Sequence, residues 1–344
     1  MSATTLPKSS APASGPARGA GPAVRRSTPL RRRRSRAAWG FALPFVTLFM
    51  VFTAWPVVSS LLMSLTDIKS RDLQNPFAVN FVGLNNFKAV LSDELFWQAA
   101  RNTGYFVIVG VPLVMFVALM IAVGLNTGIT RAAGFFRVGY YMPVVTSIVA
   151  VAVVWRFLLA RDNGLINIAL SWFGIQGPNW LGDANWSMPA LIMMAVWRSM
   201  GTLIVIFLAG LQGVPTSLHE AAALDGANAW QRLRNITVPT IRPTLLFGAV
   251  ITGIGYLQFF EEPFVMTQGG PLNSTLSVSY YIYKQFGFGN YGIASAMSYI
   301  LFLAIVLLTL IQFRLLGEHD RRPRRRPRRA TAVAVSVPKA GSAR

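Results

Sequence analysis

Apolar runs recur along the 344-residue chain at Trp39–Leu65, Thr103–Leu125, Gly139–Leu159, Met188–Leu211, Thr244–Phe264 and Ile293–Leu316, separated by polar connections. Each reaches the ~20 residues that a helix needs to cross a bilayer, and a helix satisfies its own backbone hydrogen bonds, as lipid demands. The pattern predicts an all-α polytopic membrane protein with about six transmembrane helices. An even number of spans puts both termini on one side. Residues 1–37, rich in Ser, Ala, Pro, Gly and Arg without apolar periodicity, read as a disordered basic tail. Residues 38–317 form the membrane domain, and 318–344 a second disordered basic tail. The first apolar run exceeds the h-region of a signal peptide, so it is expected to be retained as a span.

Composition supports the membrane class: the chain is 53% hydrophobic and 13% charged, with mean hydropathy +0.47. The net charge of +20 raises the possibility of nucleic-acid binding, but much of it lies in the tails, at Arg25, Arg26, Arg31–Arg34 and Arg36 and again from Arg321 to Arg329. Basic residues beside spans mark cytoplasmic ends and suit an anionic inner leaflet, so the partner implied is lipid and no nucleic acid. The second-to-third connection carries Arg131 and Arg137, and the fourth-to-fifth carries Arg232, Arg234 and Arg242; both are expected in the cytoplasm with the termini. The connections 66–102, 160–187 and 267–292 mix both signs and are expected outside. The sequence contains no cysteine, and its two histidines, His219 and His319, are far apart. No catalytic residue and no metal site is expected.

The polar stretch Glu220–Pro243, EAAALDGANAWQRLRNITVPTIRP, has a geometry of its own. Ser217 with Glu220 has the spacing of a capping box and predicts a short helix from about Leu218 to Asp225. Gly226 is expected to end it in the left-handed region. Asn228 with Gln231 repeats the spacing and starts a second helix, with Trp230, Leu233 and Ile236 near one face and Pro239 as its stop. Ala221, Ala222 and Ala223 leave the first helix slim enough for another surface to approach. A helical hairpin held only by its own spans would fit the same pattern. A DNA-reading pair of helices would not, because spans crowd it on both sides.

Glu220-Ala221-Ala222, Asp225-Gly226-Ala227, Ile236, Pro239 and Pro243 together resemble the EAA loop of permease subunits of binding-protein-dependent ABC importers. The likeness extends to FVGLNNFKAVL from Phe81, FWQAARNT, WRFLLARDNGLINIAL from Trp155, QFFEEPFVMTQGGPLNST from Gln258 and FGNYGIASAMSYILF from Phe288, which resemble signatures of the carbohydrate-uptake, maltose-permease type. Leu233 stands where an aromatic residue is common. The resemblance implies type I importer architecture, with loop 212–243 carrying a cytoplasmic coupling helix. Glu220, Ala221, Ala222, Asp225, Gly226, Ala227 and Pro239 would then engage an ATPase subunit. It also implies the partners: a pair of cytoplasmic ATPase subunits, a second permease subunit and an extracytoplasmic solute-binding protein. The solute implied is a sugar or related compound, and the location a bacterial cytoplasmic membrane.

No Gly-x-x-x-x-Gly-Lys-Ser/Thr occurs, so the chain is expected to bind no cofactor and to leave ATP to its partners. An ion-coupled secondary carrier is the alternative, although such carriers place ionisable groups deep in their spans and few occur here. Arg198, mid-span, is one: a pathway residue, a contact to a partner subunit, or a side chain reaching for the interface. Gly255, Gln258, Phe259 and Glu262 follow i, i+3, i+4, i+7 spacing and would share one stripe of span five. Aromatic and hydrogen-bonding groups on one face suit a polyhydroxylated solute; packing would produce the same spacing.

Overall fold

A computed structural model describes residues 29–74, 79–128 and 133–316. Regular structure among them is helical: α1 (Pro29–Phe49), α2 (Trp55–Ser64), α3 (Asn85–Leu91), α4 (Glu94–Gly128), α5 (Ala133–Val145), α6 (Ile148–Leu158), α7 (Leu165–Ser171), α8 (Ala184–Gln212), α9 (Thr216–Leu224), α10 (Ala229–Arg232), α11 (Val238–Thr240), α12 (Arg242–Leu257), α13 (Val278–Gly287) and α14 (Tyr291–Leu316). Among the described residues, four segments are long and apolar enough to cross a membrane unbroken, Trp39–Ser64, Glu94–Asn126, Ala184–Gln212 and Tyr291–Leu316. Two bent pairs bring the number to as many as 6.

Up to six spans agree with the number expected from the sequence, and two of them are bent. The third run folds through 108° between Val138–Val145 and Ile148–Leu158. Its cause is local: Pro143 lacks the N–H that would continue α5, the Thr146 hydroxyl donates to the Met142 carbonyl at 2.9 Å, and Ser147 is extended at ψ 126. The fifth run does not reach Phe264. Helix α12 ends at Leu257, and helical backbone resumes only beyond Phe260. Here packing overrides the helical pattern, because Phe259 turns into the core and stacks on Phe106 with ring centroids 4.0 Å apart.

By packing, the chain divides into one unit up to Ser59 and a second from Ser60 onward. In the first, α1 begins at Pro29, within the stretch expected as a tail, and runs into a π turn, Met50–Ala54. A proline is well suited to a first helical turn, and the Arg and Ala that follow are good helix formers. The rest of that tail, residues 1–28, and the C-terminal stretch 317–344 lie outside the described residues.

The second unit is built on α4 against α8, with α12 packed on α4 and α14. Phe106, Val114, Ala118, Leu191, Met194, Ile204 and Phe207 fill its main core. A smaller cluster of Val90, Phe96, Leu276, Tyr280, Tyr281 and Met297 joins α3, α13 and the starts of α4 and α14. The connections expected outside meet at this end: Gly292 N–H donates to the Ile68 carbonyl (3.1 Å), and the Ser187 and Ser274 hydroxyls bond at 2.9 Å. Helix α8, 29 residues and so about 44 Å long, separates them from loop 212–243. The Arg242 guanidinium donates to the Leu315 carbonyl at 2.6 Å, so that loop and the end of α14 emerge together.

Candidate coupling loop and solute cleft

Pro215 fixes the entry to α9. Its φ of −60° and ψ of 128° make it the N-cap, so the helix starts at Thr216 and Ser217 already lies inside the first turn. The Ser217–Glu220 capping box expected from spacing is therefore not formed, and the Glu220 side chain is exposed and uninvolved in capping. The other end follows expectation. Gly226 sits at φ +80°, with Gly226 N–H to the Ala223 carbonyl (3.1 Å) and Ala227 N–H to the Ala222 carbonyl (2.9 Å). This 6→1 and 5→2 pairing is a Schellman motif. Asn228 then caps α10 through a reciprocal box with Gln231, both bonds 2.8 Å.

Pro239 does not stop this second helix, as the sequence suggested. A π turn over Leu233–Thr237 precedes it and accommodates the proline, and the break falls at Ile241, where the chain turns by 72° into α12. The loop thus presents two short helices with a sharp corner, no buried residue on α9, and Leu224 at its tip 90% exposed. Such a projecting apolar tip is shaped to enter another surface.

Four of the five pathway candidates, Arg198, Gly255, Phe259 and Glu262, line one cleft of about 280 Å³ between α8, the α5–α6 bend and α12. Gln258 is exposed and lies outside that lining, because the helix breaks there and the expected stripe does not persist. The stripe that does face the cleft lies three residues, about one turn, earlier: Thr252, Gly255, Tyr256 and Phe259. Tyr256, which the helical spacing placed on a neighbouring face, joins the lining, as do Thr252, Ser199 and Thr202, which the sequence did not single out. The i+1 and i+4 neighbours of Arg198 were the available signal, as was Gly110, whose missing side chain leaves room for the Tyr256 ring.

The cleft is polar in an unusual way. Glu262 is 6% exposed and its Oε2 has no donor, while the buried Nε of Arg198 has no acceptor. Among the described residues the only ion pair within 4.0 Å is Arg71–Asp72, so these opposite charges share a cleft without pairing. Leaving buried polar atoms without partners is costly.

The two signature stretches FWQAARNT and QFFEEPFVMTQGGPLNST prove to be partners. Gln98 donates to the Leu272 carbonyl (2.9 Å), and Asn102 donates to the carbonyls of Asn273 (2.8 Å) and Leu276 (3.0 Å). They hold a loop whose Gln268, Leu272 and Asn273 all have positive φ. Tyr281 donates to Asp93 at 2.6 Å nearby, and burial together with that carboxylate pushes its phenol up to about 12, so the donor stays protonated.

Residues 96–325 match the family of binding-protein-dependent transport system inner membrane components. The chain belongs to this family. The permease is 35% identical over 290 residues to the lactose transport system permease protein LacF of Rhizobium radiobacter, covering 83% of this chain and 95% of that one. It is 32% identical to the trehalose/maltose transport system permease protein MalF of Thermococcus litoralis, covering 82% and 94%. A solved bacterial alginate ABC transporter, in complex with an alginate pentasaccharide-bound periplasmic protein, superposes with TM-score 0.69 at 25% identity over 83% of the permease and 96% of that chain. The all-α permease architecture expected from the sequence is therefore the fold observed, and membership of this family decides against the ion-coupled carrier.

Proposed function

We propose that this permease carries a sugar or related polyhydroxylated solute, handed over by an extracytoplasmic binding protein, along a path it forms with a second permease subunit, a homologue or another copy. Cytoplasmic ATPase subunits, probed by α9 and α10, bind and hydrolyse the ATP; this chain holds no cofactor and works as the transport subunit. Both termini and loop 212–243 face the cytoplasm. The arginine bias of the loop and the tails supports that orientation.

The observation that carries the solute reading is the cleft. Hydroxyl groups of Ser199, Thr202 and Thr252 stand beside the Tyr256 and Phe259 rings, with Glu262 free to accept and Arg198 free to donate. A sugar has an apolar ring face and a rim of hydroxyls that both donate and accept, and so satisfies both unpaired groups at once. The names of the lactose and trehalose/maltose relatives agree with that chemistry.

Uptake by the reconstituted complex tests the reading. Glu262→Gln and Arg198→Gln should each lower solute uptake while complex yield and basal ATPase activity stay near the parent. Gln258→Ala, outside the cleft, should leave uptake unchanged. Normal uptake in both charge variants would reduce the cleft to packing.

A further inference from the structure

Helix α7 is apolar on two sides, and only one is covered. Ile166 packs against the main core, and the Asn167 side chain fixes the helix by donating to the carbonyls of Arg161 (2.9 Å) and Pro178 (3.2 Å) while accepting from the Trp180 indole (2.7 Å). Leu165, Ile168 and Trp172, at i, i+3 and i+7, are therefore held on the outer face, where they are 63%, 38% and 79% exposed. Phe173 follows at 80%, and Gly174 turns the chain away at φ +72°.

Val153, Val154 and Phe157 of the preceding helix, α6, which forms part of a bent candidate span, are also exposed. No Asp, Glu, Lys or Arg occurs from Asn163 to Gly182. A face meeting a soluble protein would carry a polar, charged rim. Trp and neighbouring apolar side chains just past a span end are what a bilayer boundary takes up. We propose that the outer face of α7 lies in the headgroup boundary of the outer leaflet, an interfacial anchor for the 160–187 connection. Asn167 passes the constraint on: it occupies the space beside Gly177 and holds Pro178, on the rim of the polar outer recess that also includes Arg161, Asn179 and Asp183. The anchor thus sets the height of that rim above the bilayer.

The absence of cysteine allows single nitroxide labels at Asp162→Cys, Trp172→Cys and Phe173→Cys in the complete complex in lipid nanodiscs. Labels at 172 and 173 should collide freely with oxygen, and severalfold less than the label at 162 with a water-soluble nickel chelate. Nickel access at 173 equal to that at 162 would overturn the proposal, as would exclusion of both reagents, which signals a protein cover. Should the Trp172→Cys protein assemble poorly, Trp172→Phe in brominated-lipid nanodiscs gives an independent reading: lipid quenching of tryptophan emission should fall, and no fall would overturn the proposal.

Discussion

Gly226 occupies φ +80°, yet a Cβ there would meet nothing within 4 Å, so any substitution is penalised by the backbone alone. An L-residue in this region costs about 1–2 kcal/mol, a β-branched one more, and Asn least. Gly226→Val should therefore cost most of the transport activity of the reconstituted complex, and Gly226→Asn should keep most of it; equal activity of Val and Gly would refute the corner. The two capping spacings give a second contrast. Asn228→Ala removes a formed box and should destabilise α10 by about 1 kcal/mol, seen as faster amide exchange at Gln231, whereas Ser217→Ala should change nothing. Both boxes were equally legible as sequence. Only Pro215, which captures the N-cap position ahead of Ser217, tells them apart. Glu220, released from capping, is left exposed.

Among the elements, the long apolar runs were legible because length and hydropathy alone decide whether a helix can cross. The breaks were not, since they depend on competition: Thr146 and Pro143 against continuation of α5, and burial of Phe259 on Phe106 against continuation of α12. The candidate stripe shifted by three residues for that reason. The α12–α14 contact shows how closely such helices are fitted. Gly253 admits the Gln312 side chain, which donates to the Ala249 carbonyl at 3.0 Å; a Cβ at 253 would stand 2.8 Å from Gln312 Nε2. Gly253→Leu should expel Gln312 from that bond, and lower the thermal midpoint of the solubilised complex more than Gln312→Leu does. The reverse order would show that the hydrogen bond, and not the fit, holds the pair.

At the largest scale, the second unit has two ends. Loops with mixed charge gather at one, tied by Ser187–Ser274, Gln98–Leu272 and Tyr281–Asp93; α9, α10 and the end of α14 emerge at the other, tied by Arg242. The ties within each end join residues too distant in sequence for spacing to reveal. On the proposed function, the α9–α10 corner faces the cytoplasm and is covered by an ATPase subunit. Leu224→Cys places a single thiol at its most exposed point. In inverted vesicles this thiol should react with a membrane-impermeant maleimide after the ATPase subunits are stripped, and be protected when they are restored. Labelling from outside intact cells, or equal labelling with and without the ATPase subunits, would contradict the account.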